Sequence, residues 1–134
     1  MTGPDASAGA MVSRVSAIAV ERAQAGVEVV TVTGEHDLST APELQRRLDA
    51  ALHSGAPVAV DLLQTTFIDS TVLRVLICAR EQADERGVGF SIALGESTGH
   101  GVRRLLELTG IDQQLQTAPT RAAAIADAAA PQHA

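Results

Sequence analysis

Two hydrophobic rhythms alternate along this chain. "VSRVSAIAVE" (12–21) and "GVEVVTVTGE" (26–35) carry apolar residues in the pattern of two successive strands, with a turn near "RAQAG" (22–26). From Thr40 the period lengthens: Leu44, Leu48 and Leu52 share one helical face, Thr40 and Glu43 form a capping box, Pro42 suits the first turn and Gly55 stops the helix. "PVAVDLL" (57–63) is a nearly continuous apolar run, as expected of a central strand covered on both faces, with Asp61 as its one charge. Beyond Ser70, the residues Val72, Leu73, Val75, Leu76, Ile77, Cys78, Ala79 and Ala83 are apolar around most of a helix ending at Gly87, which predicts packing on both sides. "VGFSIAL" (88–94) reads as a strand, and Val102, Leu105, Leu106 and Thr109 as a helical stripe closed by Gly110. An Ala-rich segment after Pro119, carrying Ile125, predicts a C-terminal helix of good propensity and little anchoring. Residues 1–11 are expected to be a disordered tail of small residues, and 131–134 a short C-terminal tail.

The order is β-β-α-β-α-β-α-(β)-α. Strands separated by helices must run parallel through right-handed crossovers, so the expected architecture is α/β: an open mixed β-sheet of four to five strands with about four helices. Functional groups in such sheets gather at the carboxyl ends of the strands. "EHDL" (35–38) and "TTFIDS" (65–70) both belong to loops of that kind.

Composition narrows the chemistry. A chain of 134 residues suits one core, and no apolar run approaches the ~20 residues a bilayer span requires, so a soluble protein without a membrane partner is expected. The N-terminal stretch has no hydrophobic segment resembling a signal peptide, which places the protein in the cytoplasm, and the single Cys78 can form no internal disulfide. All ten basic residues are Arg, which removes the Walker phosphate loop, Schiff-base chemistry and a Lys nucleophile. A net charge of -6, with no Trp or Tyr, argues against nucleic acid. No cofactor is expected; a protein partner is.

Four clusters offer candidate chemistry. "GESTG" (95–99) matches G-x-S-x-G, but a hydrolase built on Ser97 would need Asp112 or Asp127 and then His133, a base in a frayed terminus. The plainer reading has Ser97 or Thr98 capping the helix that carries solvated Arg103 and Arg104. His36 and Asp37 have no further His or Cys at ligand spacing, so a solvated loop is expected there and no metal site; His53 and His100 are equally isolated. Cys78 falls within the apolar helix pattern and is expected in the core. Ser70, after Asp69, is an N-cap candidate worth ~1 kcal/mol, and a phosphoryl group is also well accommodated at a helix N-terminus.

Taken together, these segments resemble a STAS domain, the fold of bacterial anti-sigma-factor antagonists and of the cytoplasmic ends of sulfate transporters. The resemblance spans roughly residues 12–130. "VTGEHDLSTAPELQRRL" is similar to the family's Gly-Glu-x-Asp-Leu stretch and following helix, "VAVDLLQTTFIDSTVLRVLICARE" to its Asp-Leu and Phe-(Ile/Leu)-Asp-Ser signature, and "GVRRLLELTGIDQQL" to its Leu-x-x-(Thr/Ser)-Gly-Leu segment. The resemblance implies phosphorylation at Ser70, with Thr71 as the alternative, by an anti-sigma factor that is itself a serine kinase. It also implies a partner-binding set of Gly34, Glu35, Asp37, Asp61, Asp69, Ser70 and Thr71, with Asp61 matching the acid that ends the central strand. The expected function is that of a non-enzymatic antagonist that sequesters the kinase, frees a sigma factor and is reset by a protein phosphatase. The alternative is an unswitched STAS scaffold or regulatory subunit of a transport or signalling complex. One departure stands out: the family commonly has Gly where this chain has Val72, whose β-branched side chain could crowd a partner approaching the first turn.

Overall fold

The computed structural model describes residues 16–131, so the expected N-terminal tail, Val12 to Val15 of the first strand and residues 132–134 lie outside it. Five strands, β1 (Ala17–Arg22), β2 (Glu28–His36), β3 (Val58–Ile68), β4 (Phe90–Ala93) and β5 (Thr117–Ala118), lie side by side in chain order. β1 and β2 form an antiparallel hairpin through a tight turn at Gln24–Gly26, and every other pairing is parallel. The helices are α1 (Ala41–His53), α2 (Ser70–Arg86), α3 (His100–Thr109) and α4 (Arg121–Ala129). This is the expected open, mixed α/β sheet.

Side-chain alternation divides the core between two faces. Val30 and Val32 of β2, Val58, Val60 and Leu62 of β3 and Ile92 of β4 point to one face, where Leu44, Leu48 and Leu52, Val72 and Leu76, and Val102 and Leu106 cover them from α1, α2 and α3. On the other face Val29, Ala59, Ala93 and Ala118 meet Ala124, Ile125 and Ala128 of α4. Small residues let α4 lie close: a Cβ added at Gly89 would stand 2.0 Å from the Ala128 carbonyl oxygen. Arg121 and the Ser91 hydroxyl, which donates to the Ala124 carbonyl, tie α4 down further. This helix is therefore well anchored, contrary to the expectation from its composition.

Other local expectations are also revised. β3 does not end near Asp61 but runs eleven residues to Ile68, because β2 stays alongside it through two register shifts. α2 is packed on one side only: Val72, Leu73, Val75, Leu76, Ala79 and Ala83 are buried, while Ser70, Arg74 and Cys78, each one turn apart, are exposed. Cys78 is thus a surface thiol rather than a core residue. The capping box does not form, since Thr40 makes no capping bond and Glu43 pairs instead with Arg46 and Arg47. Neither Ser97 nor Thr98 caps α3, whose N-cap is Gly99; the Thr98 hydroxyl accepts from the Gly95 amide inside the loop.

Candidate functional site

The carboxyl ends of β2 and β3 lie together, and Asp69 is what joins their loops. It sits at the N-cap of α2 with extended backbone, and its Oδ1 accepts from the Val72 amide at 3.0 Å. This is the cap that the sequence suggested for Ser70; Ser70 is instead the first helical residue, and its side chain is exposed. The second Asp69 oxygen, Oδ2, accepts from the Leu38 amide at 3.0 Å. One carboxylate therefore satisfies an orphan helix donor and pins the β2–α1 loop beside Ser70.

That loop is braced from within. Asp37 Oδ1 accepts from the Ser39 hydroxyl at 2.6 Å and from the Ser39 amide at 2.9 Å, and these bonds hold the exposed Asp37 carboxyl below its ordinary range. His36, expected in a solvated loop, is only 2% exposed, because β2 extends to pair it with Ile68 and turns its ring inward. Its Nε2 lies 2.9 Å from the Thr33 carbonyl oxygen and so carries the proton, while Nδ1 faces the Thr40 hydroxyl at 3.0 Å. The imidazole is a structural brace, and no cluster of three or more potential metal ligands occurs among the described residues.

Two exposed hydrophobic side chains belong to the segments that Asp69 joins: Leu38, 70% exposed, and Phe67, 49% exposed. Leu38 follows Asp37 on the braced loop, and Phe67 pairs in register with exposed Glu35. Neither was singled out from the sequence, although alternation would have found Phe67, since Ile68 next to it is buried once the strand is drawn to its true end. Gly34 lies opposite Thr65 just before the second register shift, in the left-handed region at φ +86°, where a side chain would be strained. Thr71 is exposed in the first turn of α2.

Asp61 does not join this group. It points to the opposite face of the sheet, where Oδ2 accepts from Arg121 Nη1 at 2.8 Å and Oδ1 from the Leu63 amide at 2.9 Å. Arg121 also bonds the Thr31 hydroxyl at 3.0 Å and Glu21 at 3.0 Å, so one guanidinium links three strands to α4. Val72 likewise turns away from the surface: it is wholly buried in the core, so its methyl groups do not obstruct an approach to Ser70. Of the hydrolase set, His133 and the Asp112 side chain lie outside the described residues, and Ser97 and Asp127 are not brought together. Exposed Ser97 lies beyond the carboxyl end of β4, whereas Asp127 sits beside Ala128, which packs on Gly89 at the other end of that strand.

A family model described as Mlab, STAS domain matches residues 19–117. The chain belongs to the STAS domain family. This STAS domain superposes on an anti-sigma factor antagonist from Mycobacterium paratuberculosis with a TM-score of 0.75 and 30% identity, covering 85% of this chain and 94% of that one. The Bacillus cell fate determinant SpoIIAA in its phosphorylated form aligns with a TM-score of 0.62 at 17% identity, over 82% and 97% of the two chains. A sulfate transporter family protein from Wolinella succinogenes aligns with a TM-score of 0.63 at 18% identity, over 81% and 88%. At these last two identities the likeness is one of fold. A comparison with curated proteins yields no match. Among the described residues no helix is long and apolar enough to cross a membrane.

Proposed function

We propose that this STAS domain is a cytoplasmic anti-sigma-factor antagonist. It binds an anti-sigma factor with serine kinase activity through the surface around Ser70, frees a sigma factor, and is switched off when the kinase phosphorylates Ser70, Thr71 being the alternative acceptor. The observation that carries this reading is the exposed Ser70 hydroxyl beside Asp69, whose carboxylate holds the Leu38 loop in place. Exposed Leu38 and Phe67 supply apolar area, and each side chain buried on docking is worth about 1.5–3 kcal/mol before association costs. The Ser70 oxygen takes the γ-phosphoryl of ATP held by the kinase, its proton is released and ADP departs. The phosphate adds about -1.5 to -2 charges next to Asp69, and docking then requires that charge to be desolvated. A protein phosphatase restores the hydroxyl. The STAS domain itself catalyses nothing in this cycle.

Incubation of the purified protein with ATP and a soluble lysate of its native cells, followed by phosphopeptide mapping, tests the switch. Phosphate is expected on Ser70 and is expected to be absent from Ser70→Ala. An unmodified Ser70, with an active control kinase in the same lysate, would instead favour an unswitched subunit of a transport or signalling complex. That second reading is supported by the fold shared with a sulfate transporter family protein.

A further inference from the structure

Ser70 and Arg74 are separated by one helical turn on the exposed face of α2, and both line a shallow groove of ≈ 440 Å³ to which Ile111 also contributes. Arg22, Arg46, Arg47, Arg80 and Arg121 each hold a carboxylate, whereas Arg74, like Arg86, Arg103 and Arg104, makes no ion pair among the described residues. Its neighbours at helical spacing are Ser70 and Thr71 on one side and Ile77 and Cys78 on the other, none of them charged. The groove holds no other cation; Glu81 lies nearly two turns beyond.

We propose that Arg74 is the intramolecular receptor for the phosphate on Ser70, so that phosphorylation both adds an anion and withdraws a cation from the binding surface. The inference rests on Ser70 being the modified residue. The first-turn amide of Val72 is already taken by Asp69, which directs a phosphate on Ser70 outward along the helix face. The carboxylates that bear on this corner are Asp69 itself and Asp37 on the loop bonded to it, with Glu81 farther along α2. Repulsion from Asp69 and Asp37 favours the side on which Arg74 stands. A guanidinium matches a phosphate monoester with paired N–H donors, and an i,i+4 spacing is within its reach. Net charge around Ser70 changes only by that of the phosphate, but an available guanidinium also becomes an occupied one.

The test installs phosphoserine at position 70 during synthesis, in the full chain and in Arg74→Gln and Arg74→Lys versions, and follows the phosphate by 31P NMR as a function of pH. The second phosphate pKa is expected to be lower by about half a unit with Arg74 than with Gln, with Lys intermediate, and the difference is expected to shrink at high salt. Identical titrations for Arg74 and Gln would overturn the proposal. Arg74 is exposed, so the variants are expected to fold, and a circular dichroism melt of each confirms it; the salt dependence of the unsubstituted phosphoprotein provides a second readout, and a salt-independent pKa there would count against the pair. Because no kinase is used, a negative result here leaves kinase modification of Ser70 standing. Conversely, absence of Ser70 phosphate in the lysate leaves this titration unaffected.

Discussion

The Asp69 carboxylate accepts a hydrogen bond from the Leu38 amide at 3.0 Å, across 31 residues of sequence. Its other oxygen caps α2, so the loop and the helix that bear the candidate surface share one anchor. Asp69→Ala removes both bonds, and a stability loss of about 1–2 kcal/mol is expected in urea unfolding. Hydrogen exchange adds a local check: the Leu38 amide should exchange faster in the variant, and an unchanged rate would mean that the loop does not depend on Asp69.

Leu38 and Phe67 are exposed, so their truncation separates binding from folding. Leu38→Ala and Phe67→Ala are each expected to change unfolding free energy by no more than about 0.5 kcal/mol, yet to weaken binding to the isolated anti-sigma factor about tenfold. Calorimetric titration gives the affinity. Full affinity in both variants would place the interface elsewhere.

Val72 makes the opposite prediction. Replacing it with the glycine common in the family deletes a fully buried side chain and inserts Gly into the first turn, at a cost of about 2–4 kcal/mol in chemical unfolding. The exposed surface is unaltered, so affinity measured where the variant is folded should stay within twofold of the parent.

Arg121 stitches the second face of the sheet. Arg121→Ala leaves Asp61 without its cation in a site where that side chain is 9% exposed, and a loss of about 2–3 kcal/mol is expected after discounting for the arginine's own solvent exposure. Arg121→Ala with Asp61→Ala should recover part of that loss. If the double variant is no more stable than the sum of the two single losses predicts, the pair is not coupled.

Asp37 gives the loop a pH dependence. Because the Ser39 hydroxyl and amide lower its folded pKa, its contribution to loop order is fully present above the ordinary Asp pKa and fades as pH falls through the lowered folded value. A 13C titration of the carboxyl carbon should show the lowered midpoint, and Ser39→Ala should move it upward. A midpoint unchanged by Ser39→Ala would show that the hydroxyl bond is not formed in solution.

Period-two and period-3.6 patterns are local properties, and from them alone the strand and helix order, the four helices and the open mixed sheet were legible. The Asp-Ser junction and the family resemblance were legible too, because "TTFIDS" carries its meaning in consecutive residues. What depended on distant partners was not. The end of β3 is set by the length of β2 beside it, the burial of His36 by the pairing that extends β2, and the exposure of Cys78 by which side of α2 meets the sheet. The family resemblance implies for Asp61 the close of the central strand near the partner surface, but alternation turns it to the other face, where Arg121 arrives 60 residues later. Ser70 lost its assigned cap to Asp69 for the same reason that the site exists: a carboxylate has two oxygens, and only the folded chain could bring a helix amide to one and a loop amide to the other.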